Sequence, residues 1–214
     1  FLGDSYTEQS GARTLGESLL PGGVISYAWT ALDTAFDFVN RGIGGQRSDQ
    51  ILARVDPAYA LDDQDYTHIL AGRNDISQGI ATAVTLANVK TMVDKSLARN
   101  QIVFLGTPHA CNEAYYTARP GSMALEVALL AGIRALAIAT PGVILVDYAA
   151  DFNGTDGYGP ASRLSDGIHS SRAGAMVEGR TLARALKSLV NTRGDWREAA
   201  FDDTRNCLTN PLWA

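Results

Sequence analysis

Short apolar runs alternate with longer amphipathic ones along this chain, and that alternation narrows the fold more than any other feature. The runs "FDFVN" (36–40), "YTHILAG" (66–72), "QIVFLGT" (101–107) and "GVILVDY" (142–148) are rich in β-branched and aromatic residues. The first three run into Asn40, Gly72 and Pro108, so all four are predicted strands. Helices are predicted between and after them. "SDQILARV" (48–55) opens on Ser48, a good helix cap. "TAVTLANVKTMVDKSLAR" (82–99) brings Val84, Val89, Met92, Val93 and Leu97 close to one stripe. "SMALEVALLAGIRALAIAT" (122–140) is apolar almost all round and is expected to be buried, while "SRAGAMVEGRTLARALKSLV" (171–190) is amphipathic. Strands that alternate with helices predict an α/β fold, a mostly parallel sheet layered by helices on both faces. Such sheets hold ligands at the carboxyl ends of their strands.

A chain of 214 residues, 46% hydrophobic and 19% charged, fits one domain with a sizeable core. The net charge of −5, with no basic stripe among aromatics, argues against a nucleic-acid partner. No apolar run reads as long enough to cross a bilayer. His68, His109 and His169 are scattered and show no metal-ligand spacing, so no metal is expected. Cys111 and Cys207 read either as one pair or as two unrelated thiols. The alternating strand–helix pattern occupies residues 1–191 and reads as one domain. From residue 192 the periodicity stops, and 192–214 reads as a C-terminal extension or linker towards a further module. Phe1-Leu2 reads as the tail of an apolar stretch, so the first strand is expected to begin upstream of residue 1.

Four segments follow predicted strands or open the last helix. They are Gly3-Asp4-Ser5, the loop "NRGIGGQRSDQI" with Gly42, Gly44 and Gly45, the stretch "AGRNDI" with Asn74, and "SDGIHSS" with Asp166 and His169. A serine hydroxyl is a weak nucleophile until a base takes its proton. Histidine suits that task, and a carboxylate on its other ring nitrogen fixes tautomer and orientation. Asp166 lies three residues before His169, close enough to do this within one turn. Backbone N–H groups at Ser5 and in the glycine loop, with the Asn74 amide, are candidate donors to a developing oxyanion. Glycine at position 45 allows close approach of backbone to substrate and a positive φ.

These blocks resemble those of the SGNH/GDSL hydrolases. G-D-S, N-x-G-x-x-G (Asn40, Gly42, Gly45), G-x-N-D (Gly72, Asn74, Asp75) and D-x-x-H (Asp166, His169) occur in that family's order across positions 3 to 169. The resemblance implies a flavodoxin-like three-layer α/β/α fold and a serine esterase that needs no cofactor. It implies Ser5 as nucleophile, Asp166 and His169 as its triad partners, and Ser5, Gly45 and Asn74 as the oxyanion hole. Tyr6 stands where the family's motif has Leu.

Other residues carry weaker expectations. Arg47 and Arg73 flank the glycine loop and Asn74, and are candidates to steer an anionic substrate. His109 and the loop "PHACNEAYY" (108–116) are expected to line the cleft. A Cys–His site at Cys111 and His109 lacks a matching acid and glycine block. Tyr115, Tyr116 and Tyr158 are candidates to stack on sugar rings or to cover loops. His68 reads as core, Asp75 as structural, and Asn153-Gly-Thr as a glycosylation pattern. The absence of G-x-S-x-G argues against an α/β-hydrolase lipase. The "NRGIGGQ" loop resembles that of carbohydrate esterases in the family, and "NCLTNPLWA" resembles the start of a carbohydrate-binding module of phage tail proteins. Together these imply O-acetyl removal from a polysaccharide by a secreted or virion-associated protein. The alternatives are a lysophospholipase or thioesterase, and a non-catalytic glycan-binding module on a hydrolase fold.

Overall fold

The computed structural model describes residues 1–11, 23–32, 38–61 and 64–190. The expected extension at 192–214, with Cys207, lies outside the described residues. Among the described residues five strands form one parallel sheet: β1 (Leu2–Gly3), β2 (Arg41–Gly42), β3 (Tyr66–Leu70), β4 (Ile102–Gly106) and β5 (Val143–Val146). Their spatial order is β2-β1-β3-β4-β5. This is the doubly wound order of flavodoxin-like sheets, whose crevice opens at the strand carboxyl ends where the winding reverses.

Alternate residues of each strand point to opposite faces, and each face has its own core. On one side Ile69, Val103 and Leu105 pack with Ile51 of α3 (Ser48–Ala53), Val55 and Tyr59 of α4 (Val55–Leu61), Val89 and Met92 of α6 (Thr82–Leu97), and Leu129 and Ile133 of α8 (Ser122–Ala139). On the other, Leu70, Phe104 and Val146 pack with Val24 and Ala28 of α2 (Val24–Leu32) and Ala175 and Leu182 of α10 (Arg172–Val190). The fold is therefore three-layered, α/β/α.

Three details depart from the sequence reading. Of the strand expected at 36–40, residues 36 and 37 lie outside the described residues, and the ladder is found further on: β2 is Arg41–Gly42, pairing Leu2 with Arg41 and Gly3 with Gly42. The register follows β1, because Arg41 N donates to Phe1 O at 2.8 Å and Ile43 N to Gly3 O at 3.1 Å. Helix α8 is not buried all round. It sets Leu129, Leu130, Ile133 and Ala137 inward, while Val127 and Ile138 are 60% and 84% exposed. By length and composition alone α8, with mean hydropathy 1.8, is long and apolar enough to cross a bilayer, because Glu126 and Arg134 are its only charged residues. Here its apolar stripe is packed onto the sheet.

Candidate active site

Ser5 is the first residue of α1 (Ser5–Glu8), which turns directly out of β1. A Cβ on Gly3 would come within 2.0 Å of Thr7 Oγ1 and 2.5 Å of Leu70 O, so the turn closes only over glycine. Asp4 caps α1 by accepting from Tyr6 N at 3.0 Å. Asp4 is 1% exposed, and burial pushes its carboxyl up to about 6 against the opposing pull of the Tyr6 N–H and the Arg73 charge.

The glycine loop is pinned onto α1. Asn40 Oδ1 accepts from Gly42 N at 2.9 Å, and Asn40 Nδ2 donates to Thr7 O at 2.8 Å. Gly42 lies so close to α1 that a Cβ would meet Glu8 N at 2.1 Å. Gly44 N donates to Glu8 Oε2 at 3.0 Å. Gly45 has φ +78° with open space around it, so its requirement is conformational.

Asn74 sits in α5 (Arg73–Ser77), after Gly72 at φ +114°. Its Nδ2 donates to Gln46 O at 2.9 Å and to Asp4 Oδ2 at 3.3 Å, joining the glycine loop to the Ser5 turn. Asp75 faces the other way and is structural. It accepts from Ser48 N at 2.8 Å, Ser48 Oγ at 2.6 Å and Thr85 Oγ1 at 3.2 Å.

Asp166 and His169 lie on a turn closed by the Leu164–Ser170 bridge and by Ser165 N donating to His169 O at 2.8 Å. Asp166 Oδ1 accepts from the backbone N–H of His169 at 2.8 Å and of Ile168 at 2.9 Å, and its Oδ2 lies 2.7 Å from His169 Nδ1. Partial burial raises the Asp166 carboxyl, but the summed hydrogen bonds from His169 and Ile168 outweigh it and hold the group at about 2. Facing a carboxylate, Nδ1 carries the ring proton, which leaves Nε2 as an acceptor. That nitrogen lies 3.0 Å from Ser5 Oγ. The structure thus brings Ser5, His169 and Asp166 into one hydrogen-bonded chain, and the Ser5 turn is also met by Asn74, through Asp4, and by the glycine loop, where a Cβ on Gly44 would lie 3.7 Å from Ser5 Cβ.

The weaker candidates fall elsewhere. Arg73 is 2% exposed, lies beneath the site and donates to Glu126 Oε2 at 2.7 Å and His109 O at 2.5 Å. Enclosed in this way, it is not placed to steer a substrate arriving from solvent. Arg47 is committed to Asp49 at 2.9 Å and Gln78 at 3.1 Å. His109 is 1% exposed, its ring stacked between Tyr6 and Phe152 with centroids 4.3 and 3.9 Å away. The 108–116 loop supports the histidine turn from below, through Asn112 N donating to Gly167 O at 2.9 Å. Buried Tyr115 and Tyr116 cover this loop, and Tyr116 O–H donates to Glu126 at 2.5 Å. Cys111 is a buried free thiol. His68 is buried against Tyr148, and Asn153 Oδ1 is occupied by Ala110 N at 2.8 Å. Among the described residues no group of His, Cys, Asp or Glu side chains is placed to hold a metal ion.

The sequence reading left out Asp4, Tyr6, Glu126, Ser170 and Glu178 as parts of the site. Glu126 and Glu178 carried a signal, each being a lone acid on the apolar stripe of its helix. Tyr6 carried none, because its partners, His109 and the Ile168 carbonyl, are far away in sequence.

The sequence model of the GDSL-like lipase/acylhydrolase family matches residues 1–177. A catalytic mutant of an acetylxylan esterase from Geobacillus stearothermophilus superposes with a TM-score of 0.71 at 22% identity, over 86% of this chain and 91% of that one. A GDSL-like lipase from Bacteroides thetaiotaomicron gives 0.63 at 19% identity, over 89% and 86%. A G-D-S-L-family protein from Desulfitobacterium hafniense gives 0.69 at 17% identity, over 86% and 96%. No curated protein sequence matches the chain.

Proposed function

Because this chain belongs to the GDSL-like lipase/acylhydrolase family and is an ester-hydrolysing enzyme, we propose that Ser5, His169 and Asp166 are its catalytic triad and that it removes O-acetyl groups from a carbohydrate. The observation that carries the mechanism is the chain Ser5 Oγ–His169–Asp166, with separations of 3.0 and 2.7 Å.

In this reading His169 Nε2 takes the Ser5 proton as Oγ attacks the ester carbonyl. Asp166 stabilises the imidazolium that forms and does not take its proton. The carbonyl oxygen becomes an oxyanion held by the N–H groups of Ser5 and Gly45 and the Asn74 amide. Asn74 reaches it by giving up the longer of its two hydrogen bonds, that to Asp4. Collapse of the adduct expels the alcohol, which takes the proton from His169. Water then repeats the sequence on the acyl-enzyme, releasing acetate and restoring Ser5. Protein groups carry every step.

Two features support acetylated carbohydrate as substrate: the "NRGIGGQ" loop, and the likeness in fold to an acetylxylan esterase. The test is hydrolysis of p-nitrophenyl esters of rising acyl length beside acetylated xylo-oligosaccharides. We expect rates to fall steeply beyond acetate and acetate to be released from the sugars. Preference for long acyl chains would favour a lysophospholipase or thioesterase instead, and no hydrolysis of any ester would favour a binding module.

A further inference from the structure

Next to His169 lies a cavity of about 210 Å³ whose lining excludes Ser5, the glycine loop and Asn74. The geometry of ester cleavage assigns a side to it. In the tetrahedral adduct the oxyanion points to its donors, while the departing oxygen must lie within hydrogen-bonding reach of His169 Nε2 to receive a proton. Of the two ends of the ester only the alcohol must stay beside His169, and this cavity touches His169 and neither the glycine loop nor Asn74.

The floor of the cavity is chemically defined. Glu178 of α10 lines it while only 4% exposed. Its Oε2 lies 2.5 Å from Ser170 Oγ, which is also 3.1 Å from His109 Nε2. His109 Nδ1 lies 3.0 Å from Ala110 O, and a carbonyl can only accept, so Nδ1 bears the proton and Nε2 is bare. Serine has one proton to give. If Glu178 were ionised, either its carboxylate or His109 Nε2 would face only lone pairs. With Glu178 protonated, each donor finds one acceptor: Glu178 O–H to Ser170 Oγ, Ser170 O–H to His109 Nε2, and Nδ1–H to Ala110 O. Burial acts in the same sense, holding the Glu178 carboxyl up at about 7 and the His109 imidazole down at about 3. The other titratable groups near Glu178 are His169, Tyr6 and Arg172 in the same lining and Tyr148 beneath it.

A neutral Glu178 leaves Oε1 as a carbonyl-like acceptor, and His109 Nε2, 3.7 Å away, is beyond hydrogen-bonding range. The exposed side chains of Gln9 and Arg172 also belong to the lining. An uncharged acceptor beside a guanidinium suits an alcohol with several hydroxyls and opposes a cationic head group. We propose that this cavity receives the leaving alcohol and selects a sugar ring, through hydrogen bonds to Glu178, Gln9 and Arg172. The assignment rests on the deacetylase reading above and adds to it the face that holds the sugar.

The test compares kcat/KM for a monoacetylated methyl xyloside with that for ethyl acetate, which has the same acyl group and no hydroxyl on its alcohol. Wild type is expected to favour the xyloside. Glu178→Leu should lower that ratio about tenfold, near the upper end for one neutral hydrogen bond. Glu178→Gln should keep it, since its amide donates to Ser170 and its oxygen still accepts. The surface variant Gln9→Ala/Arg172→Ala, which leaves the buried network intact, should lower the ratio at least threefold and decides the matter if Glu178→Leu does not fold. A preference in wild type that both the Leu and the double variants retain would overturn the subsite alone. A wild type that hydrolyses ethyl acetate without favouring the xyloside would overturn the carbohydrate reading, and the subsite with it.

Discussion

Ser5 and His169, 164 residues apart in the chain, meet with Oγ 3.0 Å from Nε2. Tyr6 links the two sides of this contact. It follows Ser5 in sequence, its O–H donates to Ile168 O at 2.9 Å, and its ring meets the His169 ring edge-on at 5.9 Å. The turn bearing the histidine is therefore fastened to the turn bearing the serine, which fixes the pair in register.

Replacing Asp166 by Asn should separate orientation from folding. The Asn oxygen still accepts from Ile168 N and His169 N, so the turn persists, but its amide faces Nδ1 and favours the wrong imidazole tautomer. We expect kcat to fall by about 10⁴ with an unchanged circular dichroism spectrum. In wild type Asp166 remains ionised down to about pH 2, so loss of activity on acidification to pH 4 should not be traceable to this carboxyl.

The Arg73–Glu126 pair is enclosed, with side chains 3% and 2% exposed. Glu126→Ala would strand the guanidinium charge in the core and leave Tyr116 O–H without its acceptor. Denaturant unfolding should show a loss of about 3–5 kcal/mol, well beyond that of a typical exposed-site change.

Stability should also depend on pH through Asp4 and Glu178. Burial raises both native values, to about 6 and about 7 from 3.8 and 4.5. The native state therefore holds these protons more tightly than the unfolded chain. The stabilisation is complete below about pH 4 and is lost as pH rises through 6 to 7, by on the order of 3 kcal/mol for each group. Melting temperature should fall across that window in wild type and fall less in Glu178→Gln.

Gly42 and Gly45 of the loop should behave differently. Gly42→Ala puts a Cβ 2.1 Å from Glu8 N, against backbone that cannot yield without moving α1. Gly45→Ala meets no neighbour and carries only the strain of φ +78°, about 1–2 kcal/mol. We expect Gly42→Ala to lower both stability and activity sharply, and Gly45→Ala to fold with a small loss of melting temperature.

The layered fold was legible because each central strand is a short run with apolar residues on both faces and each long helix carries a stripe. The 102–106 and 143–146 strands fall within the predicted runs for this reason. The strand predicted at 36–40 slipped because pairing with Leu2–Gly3, and not local apolarity, sets where its ladder lies. At the site, motif spacing drew attention to Ser5, Asn74, Asp166 and His169. It misplaced Arg73 and His109, expected to steer substrate and to line the cleft, because Arg73 bonds to buried Glu126 and His109 to Ser170. Those partners lie 53 and 61 residues away, so no local pattern could pair them. Glu178 was visible only as an acid out of place on an apolar stripe.

The central claim is that Ser5 is the nucleophile activated by His169. The most direct measurement is the intact mass of the protein after treatment with a fluorophosphonate, followed by peptide mapping. The account predicts a single adduct on the Ser5 hydroxyl, formed by wild type, strongly slowed in His169→Ala and absent in Ser5→Ala. An adduct at another residue, or full labelling and full esterase activity in Ser5→Ala, would contradict it.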